Sequence, residues 1–252
     1  MENETKFGKQ VYSCSKKAGM KILKVFLLFP PIILLILTFT VFNDGPSAIY
    51  YQVIAVLLSV LALYWVFFGK QYKEIVVYEN GIVFTLGSKV TELDFCDVKG
   101  INDATIVTKL YGVINAGQTR YAAIVKHNGE KHVFTKALVS ELEQLADNLG
   151  AAFTKYLLRE VTAETLDKAY ISFGDSLELT GGLLVHDAGA KKGKVSIPLN
   201  AVRNVAFDDD GYWLTLEGEK NEKGKPEKLA MIRADKALNL TALLRILDAF
   251  RQ

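Results

Sequence analysis

The sequence predicts a membrane-anchored α+β chain: a transmembrane helical hairpin, followed by two small antiparallel β modules that each end in an amphipathic helix. Three observations carry this expectation. Two long apolar runs lie near the start of the chain, strand-like alternation broken by Asn-Gly and Gly-Gly turns follows them, and helical periodicity appears twice after the strands.

The first apolar run, residues 22–42, holds one charge, Lys24, and the second, residues 48–69, holds none. At about 1.5 Å per helical residue each would reach roughly the 30 Å of a hydrocarbon core. The insert between them, Asn43, Asp44, Gly45, Pro46 and Ser47, is polar and turn-like. Lys6, Lys9, Lys16, Lys17 and Lys21 lie ahead of the first run and Lys24 near its start, and Lys70 and Lys73 follow the second, whereas the insert has no Lys or Arg. The positive-inside rule then places both termini in the cytoplasm of a multi-pass protein of the cell membrane. A cleaved signal peptide is excluded because the tail is long, no small-residue cleavage site follows Phe42, and a second run comes at once.

The predicted organisation is a basic cytoplasmic tail over residues 1–21, the transmembrane hairpin over 22–69, a first module over 70–160 and a second over 161–252. A net charge of +2 offers no argument for nucleic acid as a partner. Cys14 and Cys96 match neither a disulfide framework nor a metal site.

The first module opens on Glu74-Ile75-Val76-Val77-Tyr78, turns at Asn80-Gly81 and continues as Ile82-Val83-Phe84-Thr85-Leu86. Asn-Gly between two such runs predicts a tight hairpin whose two central residues both take positive φ. Further strands are expected over residues 89–95, 104–114, 120–126 and 131–134. Leu138, Leu142, Leu145, Leu149, Phe153 and Tyr156 then recur at helical spacing. The second module repeats the plan. Gly181-Gly182 stands where Asn80-Gly81 stood, Leu199-Asn200-Ala201-Val202 takes the place of Phe95-Cys96-Asp97-Val98, and Leu240, Leu243, Leu244, Leu247 and Phe250 supply the closing helix.

The residues Val76-Val77-Tyr78-Glu79-Asn80-Gly81-Ile82, Phe173-Gly174-Asp175 and Ser196-Ile197-Pro198-Leu199-Asn200-Ala201-Val202 carry a resemblance. The pattern resembles the bacterial pleckstrin-homology-like (PH-like) proteins, in particular an uncharacterised group with a two-helix membrane hairpin and two tandem PH-like modules. The resemblance implies a fold, an antiparallel sheet or partly open barrel with a C-terminal helix, and implies no reaction or cofactor.

Four motifs invite chemistry. Gly174-Asp175-Ser176-Leu177 matches the nucleophile block of the GDSL esterases, which makes a membrane-bound lipid esterase using Ser176 the alternative function; no Asp-x-x-His pair follows to supply a base. His127 and His132 flank the Asn128-Gly129 turn without a third ligand. Asp208-Asp209-Asp210-Gly211 begins like a calcium loop but has no later bidentate Glu at the needed offset. Lys191, Lys192 and Lys194 in the second module, with the tail lysines Lys16, Lys17, Lys21 and Lys24, are the candidate membrane-surface contacts. No catalytic, cofactor or metal residues are assigned. The function expected is a non-enzymatic membrane platform that binds an anionic lipid headgroup or a membrane protein partner, or else an auxiliary subunit of a membrane complex.

Overall fold

A computed structural model describes residues 6–15, 29, 32, 33, 36, 37, 48–68, 72–110, 114–136, 138–190, 193–208 and 212–250. In chain order its elements begin with β1 (Gln10–Ser15), α1 (Ala48–Phe68), β2 (Tyr72–Tyr78), β3 (Gly81–Leu86) and β4 (Lys89–Asp94). A single 3-10 turn, Phe95–Asp97, leads to β5 (Val98–Leu110), β6 (Ile114–Lys126), β7 (Lys131–Thr135) and α2 (Leu142–Leu157). The second half runs β8 (Tyr170–Ser172), β9 (Leu177–Thr180), β10 (Leu183–Asp187) and β11 (Lys194–Pro198). Another 3-10 turn, Leu199–Ala201, precedes β12 (Asn204–Phe207), β13 (Trp213–Lys220), β14 (Pro226–Arg233) and α3 (Leu240–Phe250).

The membrane reading does not survive. Among the described residues no helix is long and apolar enough to cross a membrane. The second apolar run does form α1, Ala48–Phe68. Ser59 within it is buried and bonds back to Ala55 O at 2.7 Å. The first run lies mostly outside the described residues. The transmembrane hairpin, the multi-pass cell-membrane localisation and the topology drawn from flanking lysines are therefore withdrawn.

The predicted tail also contains a strand. β1 pairs antiparallel with β2, Ser13 opposite Val76 and Ser15 opposite Glu74, and supplies one edge of the sheet β1-β2-β3-β4. A second sheet, β5-β6-β7, faces it across a core closed by α2. Phe95, Phe134, Phe153, Ile75, Ile82, Ile124, Leu145 and Leu149 are fully buried there, each contributing about 1.5 to 3 kcal/mol by leaving water. The second half repeats this: β8 to β11 make one sheet, β12 to β14 another, and α3 closes a separate core around Phe173, Leu177 and Leu179. Leu157 at the end of α2 packs against both cores.

The two early hairpins turn for different reasons. Gly181 and Gly182 have φ of 60° and 74° between the paired residues Thr180 and Leu183, the tight primed turn that the sequence pattern asks for. Asn80 and Gly81 are not at positive φ, contrary to expectation. Their turn is held instead by the N-terminal segment: Asn80 N–H donates to Phe7 O at 2.9 Å, and the Phe7 ring is fully buried against Tyr78 and Val83. A Cβ on Gly81 would lie 2.5 Å from Phe7 Cδ1 and 2.7 Å from Leu93 O, so glycine is needed here for close approach.

Candidate functional site

The two halves are joined by one residue more than by any other. Asn239, at φ 54° just before α3, is buried and lies against the edge of β5. Its main-chain N–H donates to Ile101 O at 2.8 Å, and its Oδ1 accepts from Ile101 N–H at 2.9 Å. One asparagine thus meets the exposed edge of β5 as a neighbouring strand would. Its Nδ2 donates to Ser172 O at 2.9 Å and reaches Lys99 O at 3.4 Å, tying the start of the second half to the first. Gly100 permits this contact, since a Cβ there would lie 2.8 Å from both side-chain polar atoms of Asn239. Gly174 does the same from the other side, with φ 129° and a Cβ position 2.5 Å from Lys236 O.

Beside this junction runs a groove of about 640 Å³. Strand register explains its floor. Asn102 pairs with Ala123, which pairs with Val133, and Val125 pairs with Lys131, so these side chains share the face of β5-β6-β7 turned away from the core. The 234–238 segment of the second half forms a wall, and Tyr121 hydroxyl donates to Asp235 O at 3.3 Å across the seam. Burial and the nearby Asp235 and Asp103 raise the Tyr121 pKa, which keeps that hydroxyl protonated as a donor.

Four lysines, Lys99, Lys126, Lys131 and Lys236, line the groove against two aspartates, Asp175 and Asp235. Asp235 is already engaged by Arg233 through a bidentate pair at 2.7 and 2.9 Å. Asn102 completes the site. It is 3% exposed, its Nδ2 donates to the carbonyls of Ala234 and Ala237, and its Oδ1 has no partner. Leaving a buried acceptor unmet costs about 1 to 3 kcal/mol.

A second depression, about 370 Å³, lies beside α2. Arg120 there binds Asp103 at 3.0 and 2.7 Å and Asp147 at 3.0 Å, and these hydrogen bonds raise its pKa further. Nearby, burial pushes the Cys14 thiol up to about 11, so it stays protonated near neutral pH.

The residues singled out in the sequence fare unevenly. Lys16, Lys17, Lys21, Lys24, Lys191 and Lys192 lie outside the described residues. Lys194 opens β11, where its ammonium sits 3.2 Å from Glu178 Oε1. Ser176 is partly buried, and His186 Nδ1 lies 2.9 Å from its main-chain carbonyl oxygen, an arrangement that directs the imidazole to the backbone. Asp208 Oδ1 accepts from Tyr212 N–H at 2.6 Å and Trp213 N–H at 2.9 Å, so this carboxylate shapes a turn. His127 lies at one end of the groove, whereas His132 faces the core, its ring 5.1 Å from that of Phe84.

His132 provides a pH prediction. Burial lowers its pKa below the ordinary imidazole value of about 6.5. Glu130 acts in the opposite sense from 3.4 Å, and Lys126 and Lys89 reinforce the lowering. The unfolded chain therefore binds a proton that the folded chain resists, and stability falls as pH drops below about 6.5. Urea midpoints at pH 7.5 and 5.5 should differ in that direction, and the difference should shrink in His132→Gln; an unchanged difference would show that other groups set it.

Sequence reasoning missed Asn239 and Asn102 because neither belongs to a motif; their roles depend on contacts across more than a hundred residues. In the register set by the two closing helices, Leu142 and Leu145 match Leu240 and Leu243, so Glu141 stands where Asn239 does and both copies carry a polar residue there.

Comparison with other proteins gives a family and no activity. One solved structure that is similar, titled as the Spt16D Pob3N heterodimer, shares 13% identity over 64% of this chain and 84% of that one, with a TM-score of 0.21. No curated protein matches. The model of DUF6585, a family of unknown function, matches residues 1–252, and the chain belongs to that family.

Proposed function

We propose that the protein is a non-enzymatic interaction platform in which two PH-like units, held together through Asn239, offer the groove beside their junction to another protein. The twice-repeated order of four strands, three strands and one helix supports the PH-like reading. The observation that carries the function is the groove itself, a concave face built by both halves in which Lys99 and Lys131 make no ion pair among the described residues.

A photo-crosslinking amino acid at Val133, which is 40% exposed on the groove floor, tests this in the full chain. The expected result is a discrete protein adduct in native extracts from Val133 and none from Lys220, at the exposed end of β13. Equal labelling from both positions, or none from Val133, would remove the reading.

A further inference from the structure

This inference rests on the platform reading and narrows the partner. The middle of the groove floor, Ala123 and Val125 with Val133, is small and apolar, and four lysines line the groove around it. Lys126 is paired with Glu130 at 2.8 Å, and Lys236 lies 3.7 Å from Asp175. Lys99 and Lys131 make no ion pair among the described residues, and they flank the same end of the sheet. Further along, Asn102 is buried, its amide group committed to Ala234 and Ala237.

We propose that the groove takes an extended acidic segment of polypeptide, its carboxylates against Lys99 and Lys131 and its intervening side chains on the apolar floor. An extended chain meets both demands together, because alternate side chains point to opposite sides. The floor along β6, from Tyr121 to Lys126, is about 20 Å long at roughly 3.3 Å per residue, room for some six extended residues.

Other anions fit less well. A lipid headgroup would engage the lysines and leave the apolar floor unfilled. Single-stranded nucleic acid is held by a series of stacked bases, and the ring-bearing side chains among the lining residues are Tyr121 and His127.

The test is fluorescence anisotropy with the full chain and a labelled peptide of alternating Glu and Val, against the same peptide with Lys for Glu. The acidic peptide should bind and the basic one should not. Reversing both free cations, Lys99→Glu with Lys131→Glu, should weaken binding roughly tenfold or more, as expected for facing charges turned repulsive. The single variant Lys131→Gln, at an exposed position, should weaken it several-fold without affecting folding. Binding that survives the double reversal, or no binding of the acidic peptide, overturns the proposal. So does phosphatidylserine vesicle or oligonucleotide binding that depends on the same lysines and outcompetes the peptide. An adduct from Val133 to a partner without an acidic segment would remove this inference and leave the platform standing; no adduct and no peptide binding would remove both.

Discussion

Asn239→Ala is expected to destabilise the protein by about 3 to 5 kcal/mol. The substitution leaves Ile101 N–H buried without its acceptor, which costs about 1 to 3 kcal/mol. It also removes the donor to Ser172 O, whose net contribution is about 1 kcal/mol. Alanine at φ 54° then adds roughly 1 kcal/mol, because it lacks the short polar side chain whose local hydrogen bonding lets asparagine tolerate the left-handed region. Asn239→Gly separates these contributions: it loses the same side-chain bonds without the backbone penalty and should fall between wild type and alanine. Asn239→Asp keeps an acceptor for Ile101 N–H but sets a carboxylate against two carbonyl oxygens, and should be nearly as damaging as alanine. Urea unfolding measures the loss, and hydrogen exchange at the Ile101 amide locates it. A loss under about 1 kcal/mol for alanine would mean that the junction does not depend on this residue.

Gly174→Ala is expected to cost about 2 to 4 kcal/mol, and to act at the same junction from the opposite side. A φ of 129° is conformational territory that glycine alone occupies comfortably, with a penalty of about 1 to 3 kcal/mol for other residues. The added methyl carbon would stand 2.5 Å from Lys236 O, a main-chain atom that cannot rotate away, so the segment ahead of α3 must move. Because that segment is the wall of the groove, the damage should be visible in two ways. Backbone NMR shifts should change at residues 172–175 and at 234–239, and the acidic peptide should bind more weakly although no lysine has been touched. Shifts confined to residues 172–175, with peptide binding unaltered, would show that the wall is not coupled to the loop.

Local signals in the sequence carried a good part of the β structure. Strands β2 to β4 and β7, and helices α2 and α3, follow from runs of β-branched residues, from turn glycines and from leucines at helical spacing, because those signals lie within a few residues of the structure they specify. The repeat was visible for the same reason: Phe95 and Leu199 occupy equivalent short 3-10 turns and are both buried.

What failed depended on distance or on composition alone. In Gln10-Val11-Tyr12-Ser13-Cys14-Ser15 the alternation is faint and lysines crowd the neighbouring chain, while the partner strand lies beyond the whole apolar stretch. Nothing local says that this tail is part of a sheet. The apolar runs invited the opposite error, since mean hydropathy records what a segment is made of and omits the contacts that its ends make. The candidate site was hidden more completely. Its floor comes from one face of β5-β6-β7, its wall from a segment more than a hundred residues later, and its buried amide from a residue that falls between the strands expected over 89–95 and 104–114.

The pairing of Ser15 with Glu74 has a consequence for how this chain is assembled. Everything between these residues leaves and re-enters the first sheet at adjacent positions, so topologically it is the enlarged loop of a β1-β2 hairpin. Closing a loop costs entropy that grows only with the logarithm of its length, by about 0.6 kcal/mol for each doubling, so the sheet is nearly indifferent to what the loop contains. The apolar stretch is in this sense a passenger of the hairpin. Its sequence is free to be shaped by whatever that stretch itself must contact, while the β framework on either side answers only to its own core.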